Sequence, residues 1–203
     1  MMKDTFLILL FLFFTVSTSI AGKKLNISKG DTICLLPIQN QILNRSNPQV
    51  LLDSSTTAIA AQYIYQKSKK ILSQKYNILE CSNNSQLSSE QFKELEMQFD
   101  AFNKSETGEV ALSENLKSIF SNSSTRFQLQ IVQFGQYYQE DRKQVYSRGI
   151  PLSNGNNIFY FILLDRQNDN IIFIEKSKSF GDVRDKEQTD RQILKCLRKL
   201  YYN

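Results

Sequence analysis

The sequence has no histidine among its 203 residues. That absence removes a His-based metal site, a Ser-His-Asp triad and a Cys-His pair together. Glycine is scarce, at seven residues, and none is grouped as G-x-G-x-x-G or as a P-loop, so the phosphate-cradling signatures are missing. Three cysteines occur, Cys34, Cys81 and Cys196. They show no C-x-x-C spacing, and an odd count leaves at least one thiol over. No Lys/Arg block is interleaved with aromatic residues, which argues against nucleic-acid binding. Carboxylates are plentiful, yet no pair stands out by spacing. The expectation is a chain with no catalytic constellation, no cofactor and no metal, which is not an enzyme.

Long apolar runs are also rare, and only one has the wrong length for a core element. Phe6 to Val16 is almost wholly apolar behind Met1-Met2-Lys3. It falls short of the ~20 residues that a membrane span needs. Ser19-Ile20-Ala21 then places small residues where a signal peptidase reads them, before Gly22. This is the pattern of a cleaved Sec-type signal over residues 1–21. One α/β domain over residues 22–203 would follow, long enough for a real core. No cysteine sits just after the apolar run, so a lipobox anchor is not indicated. The expected location is exported and periplasmic. The formal net charge is +5. Such a balance can favour peripheral contact with anionic lipid, and it also keeps soluble copies apart.

What the chain does contain is a strong hairpin near its C-terminus. Ile158 to Leu164 is apolar without a break and rich in aromatic and β-branched residues, which predicts a strand covered on both faces. Asp165 to Asn170 is polar and turn-forming. Ile171 to Ile174 begins the return strand. Asp165 and Asp169 could ligate a cation, but turn formation explains them more simply.

Upstream, Thr32 to Pro37 predicts a short buried strand ended by proline. Gln39 to Ser55 is expected to be a loop carrying an apolar patch, Val50-Leu51-Leu52. A helix should run from Ser55 or Thr56 to about Gln74, and a strand over Tyr76 to Cys81. Ser88-Ser89-Glu90-Gln91 reads as a capping box before a helix with Phe92, Leu95, Phe99 and Phe102 on one stripe. Glu94, Glu96 and Asp100 are its solvated side. A short helix with Leu112, Leu116, Ile119 and Phe120 follows Gly108. From Thr125 to Tyr138, Phe127, Leu129 and Ile131 alternate with Gln128 and Gln130, which predicts a half-exposed antiparallel strand with a bulge near Ile131-Val132. Val145-Tyr146 is a weak edge-strand candidate. The last helix spans about Asp185 to Leu200 and is basic through Arg191, Lys195, Arg198 and Lys199. Export permits one bridge between Cys34 and Cys81, which lie on or at the end of neighbouring strands. The other reading is three small buried hydrophobes. Asn-x-Ser triplets begin at Asn26, Asn44, Asn83, Asn103 and Asn122; they matter only in a eukaryotic secretory pathway, and a chain rich in Asn and Ser produces them by chance.

The fold class expected from this order is α/β, a mixed sheet with an N-terminal βαβ unit, then antiparallel strands, and helices packed on it. Three pieces carry a resemblance. Ile33-Cys34-Leu35-Leu36-Pro37 resembles the opening strand of a bacterial envelope group, Tyr76 to Glu80 its second strand, and Phe159 to Phe173 its hairpin. The group includes the TolB amino-terminal domain, with its anticodon-binding-like architecture, the CsgG-like proteins and the LpoB-type activators of penicillin-binding proteins. The chain departs from the pattern at Ile38, where a Phe is usual, and at Asp169-Asn170, where Thr-Gly is usual. The resemblance implies a non-catalytic role through protein contacts in the envelope. An envelope protein or complex is therefore the expected partner. The loop Gln39 to Ser55 and the segment Tyr137 to Asn156, with Tyr137, Tyr138, Arg142 and Tyr146, are the candidate contacts. Alternatives are a small-ligand or lipid carrier lidded by Phe92 to Phe102, a CsgG-like assembly subunit that would use Thr125 to Tyr138 to enter a bilayer, and a carboxylate-only hydrolase.

Overall fold

In chain order the elements are β1 (Thr32–Leu35), β2 (Gln39–Ser46), β3 (Gln49–Leu52), α1 (Ser54–Leu72), β4 (Asn77–Glu80), α2 (Ser89–Lys104), β5 (Val110–Ala111), a 3-10 helix (Glu114–Ile119), β6 (Phe127–Tyr137), β7 (Tyr146–Ser147), β8 (Ile150–Pro151), β9 (Gly155–Asp165), β10 (Asn170–Phe180) and α3 (Lys186–Tyr202). They come from a computed structural model that describes residues 25–46, 49–82, 87–121, 123–138, 146–147, 150–151 and 155–202. The expected signal over residues 1–21 lies outside the described residues.

β6 is the strand on which the sheet assembles. Along one edge it pairs antiparallel with β9 over its whole length, from Phe127 opposite Asp165 to Tyr137 opposite Gly155. The other edge is shared. Phe127 to Leu129 takes β1 in parallel, and Val132 to Tyr137 takes β2 in parallel. β4 adds to β1 in parallel and β3 adds to β2 antiparallel. On the far side β9, β10 and β5 continue antiparallel. The result is a mixed sheet of eight strands that forks along one side.

Pro37 stands at the fork. It has no N–H to give to a ladder and ends β1. Leu36 N–H still donates to the Leu129 carbonyl at 3.0 Å. The Gln130 side chain donates to the Pro37 carbonyl at 2.8 Å. The chain then rejoins β6 as β2.

Helices cover both faces. α1 and α3 bury Ile64, Leu72, Ile193 and Leu197 against Ile33, Leu129, Ile131, Phe159 and Phe161. α2 and the 3-10 helix bury Leu95, Phe102, Leu116 and Ile119 against Leu36, Val132, Tyr160, Ile162 and Leu164. β9 is therefore apolar on consecutive residues, as a strand with two covered faces should be.

β6 corrects the reading of a half-exposed antiparallel strand. Gln128 and Gln130 are fully buried, and the strand is central, with parallel neighbours on one edge. Its amides find partners inside: Gln128 exchanges hydrogen bonds with the Ser121 backbone at 3.1 Å. The register with β9 runs through Ile131 and Val132 without a slip. The two residues face opposite layers, so both are apolar, and the expected bulge is absent there. A register shift lies instead between Ile171 and Phe173 of β10. A buried central strand is also not the free amphipathic strand that the CsgG-like alternative requires.

Three smaller differences follow from local chemistry. The stretch read as a loop from Gln39 holds the β2–β3 hairpin, which sequence patterning missed because Ile42 is the one fully buried apolar residue of β2. The helix expected after Gly108 is a 3-10 helix preceded by the short β5. Glu96 is turned to the sheet, where it accepts from Lys176 at 2.6 Å and from the Tyr160 hydroxyl. The α2 capping box forms as expected, with Ser88 N–H on the Gln91 side chain at 2.8 Å and Gln91 N–H on Ser88 Oγ at 3.2 Å. In the hairpin turn Asp169 sits at φ 50°, a conformation Asp tolerates. Asp165 is gripped by Arg126 at 2.7 Å and Asp169 by Arg166 at 3.0 Å. Both turn carboxylates thus have an arginine partner.

Candidate functional site

The forked edge holds the most developed surface of the described residues. Among the described residues β3 is the outermost strand there and pairs only with β2, so none of their strands lies against its outer backbone edge. Val50, Leu51 and Leu52 are each about half exposed, at 52%, 54% and 55%. Consecutive residues of a strand point to opposite faces, so apolar surface stands on both sides of this edge. Natural edges are usually blunted by charge, proline or brevity. Brevity alone applies here, over four residues.

The hairpin is held to the body through Asp53. This residue follows β3 and caps α1, accepting from Thr56 N–H at 2.9 Å and Thr56 Oγ1 at 2.6 Å. Ser55 Oγ donates at 2.8 Å, and the Tyr137 hydroxyl donates from the end of β6. These hydrogen bonds, Thr56 first and Tyr137 next, hold the Asp53 carboxyl far below the usual carboxylate range.

Between the two branches opens a cleft of about 710 Å³. The first turns of α1 and α2 flank it. Ile38, Leu52, Phe92 and Phe134 form its apolar wall, and Asn40 and Gln133 its polar floor. The Phe92 and Phe134 rings lie 5.3 Å apart. Among the described lining residues Lys93 is the one charged side chain. The floor continues into a chain of buried amides. Asn40 donates to the Thr57 carbonyl at 2.7 Å. Gln133 donates to Asn157 at 3.0 Å, and Asn157 donates to Gln192 of α3 at 3.1 Å. Such a lining can hold an extended chain or an amphipathic molecule by hydrogen bonds and apolar contact. It offers no nucleophile with a base. Among the described residues no group of three or more Cys, Asp or Glu is placed to hold a metal ion.

The singled-out residues fall in different places. Cys34 of β1 and Cys81, just past β4, are joined by a disulfide with Cα atoms 5.8 Å apart. Cys196 is a free, buried thiol on α3, and burial chiefly pushes its pKa up to about 12. Tyr137 is 4% exposed. Its hydroxyl binds Asp53, and the Arg184 guanidinium lies 4.2 Å from its ring centre. It is thus a packing residue that joins β6 to the cap of α1, which corrects its assignment as a partner contact. Tyr138 is half-buried at the strand end. Tyr146 pairs with Pro151 in the small β7–β8 ladder. Arg142 lies outside the described residues. Of the two stretches proposed from sequence, the one from Gln39 supplies the exposed edge. Val50-Leu51-Leu52 was its one visible signal; nothing in the pattern marked Asn40 or Gln133.

No family model matches the chain, and no curated protein matches it. Solved structures with a similar chain path include a PelC dodecamer from Paraburkholderia phytofirmans, 13% identical with a TM-score of 0.39, covering 85% of this chain and 89% of that one. The LpoB C-terminal domain from Salmonella enterica is 12% identical, with a TM-score of 0.32 over 77% of this chain and 87% of that domain. A putative neuraminyllactose-binding hemagglutinin homolog from Helicobacter pylori is 10% identical, with a TM-score of 0.38 over 88% of this chain and 83% of that one. No helix among the described residues is long and apolar enough to cross a membrane.

Proposed function

We propose that this chain is an exported, non-enzymatic accessory protein of the cell envelope, which docks onto another envelope protein through the β2–β3 hairpin. The observation that carries the reading is the edge strand β3, with three consecutive apolar residues each about half exposed and, among the described residues, no strand on its outer side. An exposed apolar edge of this kind suits β-strand addition, in which main-chain hydrogen bonds supply affinity and side chains supply selectivity. The cleft beside it would receive a side chain or a following segment of the same partner.

The test is site-specific photocrosslinking in the native envelope, with the crosslinker at Leu51 and, as control, at Met97 on α2, which is 64% exposed. A discrete protein adduct from Leu51 and none from Met97 is the expected result. Adducts of equal pattern from both positions, or none from either, would remove the hairpin as the docking edge.

A second reading rests on the cleft itself. Its volume and mixed lining suit a small amphipathic ligand, with Phe92 as part of the wall. Phe102 is in the core, so the helix as a whole is not a lid. Native mass spectrometry of gently purified protein decides it: a reproducible bound mass that Phe134→Ala abolishes supports a carrier.

A further inference from the structure

The positive charge of the chain is not spread over its surface. α1 carries three lysines and no carboxylate, and α3 carries five Lys/Arg against Glu187 and Asp190. These two helices thus hold +6, against +5 for the whole chain. The remainder sums to −1. On the opposite face α2 carries four carboxylates against two lysines. One helical layer is basic and the other acidic.

The basic layer has a further focus. α1 and α3 run side by side in step. Lys67 meets Asp190 at 2.6 Å, and Lys75, just past α1, donates to the Tyr201 carbonyl at 2.6 Å near the end of α3. Their C-terminal ends therefore lie together. Between them is a groove of about 280 Å³ lined by Ile71, Gln74, Leu194, Leu197, Arg198 and Tyr201. Leu194, one of the lining residues, is 50% exposed. Arg198 of the lining is exposed, and so are Lys70 and Lys195, each next in sequence to a lining residue. Cations at helix C-termini complement the helix dipole, which accounts for some of this charge. It does not account for a half-exposed leucine beside these cations, or for the groove.

We propose that the adjoining C-terminal ends of α1 and α3 form a peripheral docking surface for an anionic lipid bilayer, with Leu194 and Tyr201 entering the headgroup region and Lys70, Lys195 and Arg198 resting on the anionic surface. Charge complementarity selects the partner. Two of the three cations at this surface, Lys70 and Lys195, are lysines, while Lys67, Lys69 and Lys199 already meet Asp190, Glu80 and Glu175. Lysine is a hydrated point charge that responds to a surface potential, whereas paired recognition of single carboxylates favours the planar fork of arginine. A tyrosine and a leucine among basic side chains match the interfacial pattern of amphipathic membrane-surface helices. This surface lies one length of α1, roughly 28 Å, from the hairpin end of that helix. It goes beyond the docking reading, and the two can fail separately.

The experiment is sedimentation of the purified protein, as it accumulates in the cell, with vesicles of pure phosphatidylcholine or of phosphatidylcholine with 30 mol% phosphatidylglycerol (about a third anionic headgroups). The expected result is at least tenfold tighter binding to the anionic vesicles, weakening steeply as salt screens the surface. The triple variant Lys70→Glu, Lys195→Glu, Arg198→Glu should lose that preference while its melting curve stays cooperative. Leu194→Ser keeps every charge and should weaken binding several-fold. Equal binding to both vesicle types overturns the proposal. So does an unchanged preference in a folded triple variant. Soluble polyglutamate that displaces the protein from vesicles, with Leu194→Ser behaving as wild type, would overturn it in favour of an acidic macromolecule.

Discussion

Asp53 joins three parts of the molecule through one carboxylate: the end of β3, the first turn of α1 and Tyr137 at the end of β6. Its folded-state pKa is held down by those hydrogen bonds. A carboxylate whose pKa is lower folded than unfolded stabilises the fold above its unfolded value, near 4. The contribution then declines as pH falls toward the folded value. Asp53→Ala should cost about 1–2 kcal/mol at pH 7, as loss of a helix cap does. The gap between variant and wild type should narrow in urea titrations at pH 3. A gap independent of pH would mean that the cap acts by shape and not by charge. Gly135 is a second telling residue. A Cβ built there would lie 2.5 Å from Val183 Cγ2, so the Val183 side chain, on the approach to α3, packs directly on the backbone of β6. Gly135→Ala should destabilise by about 1–3 kcal/mol through overpacking, read as a lower urea midpoint.

The elements at the forked edge are short and depend on ties. Among the described residues β4 pairs only with β1, over four residues, and is stapled there by the Cys34–Cys81 bridge across a sequence separation of 47. A loop of that length gives about 4 kcal/mol by restricting the unfolded chain. Cys81→Ser should therefore lower stability by up to roughly that amount, and reductant should affect wild type but not the variant. The β2–β3 hairpin obeys a different logic. The apolar residues of β3 are about half exposed, unlike the buried Ile42 of β2, so Leu51→Asp should change stability by less than about 0.5 kcal/mol, as surface substitutions do. In the docking reading the same change removes partner capture. A large loss of stability in Leu51→Asp would show the hairpin to be a packing element.

At the scale of the whole molecule, two apolar layers share one sheet. Alternate residues of β6 and β9 feed the α1–α3 layer and the α2 layer, as Phe159 and Phe161 do on one side and Tyr160 and Ile162 on the other. Neither layer can melt without baring the strands of the other. Unfolding should therefore be a single transition, with far- and near-ultraviolet circular dichroism superimposable. Two separated transitions would show the α2 layer to be an independent unit. The charge arrangement belongs to this scale too, because the sheet that separates the layers also holds the basic helices apart from the acidic one.

Local composition determined much of this protein. The unbroken apolar run of β9, the Asn/Asp turn after it, the capping box of α2 and the amphipathic stripes of the helices could be read because each rests on neighbours within a few residues. The missing histidine and the scattered glycines excluded the commonest chemistries for the same reason. Tertiary structure alone decided the rest. Gln128, Gln130, Gln133 and Asn157 look like solvent-facing polar residues, and became interior only because a second helical layer and partner amides cover them. Tyr137 looks like a loop contact, but its hydroxyl is taken by Asp53, 84 positions away. The β2–β3 edge and the paired basic helix ends exist because residues distant in sequence share strand β6 or lie side by side. Such adjacency leaves no trace in local periodicity.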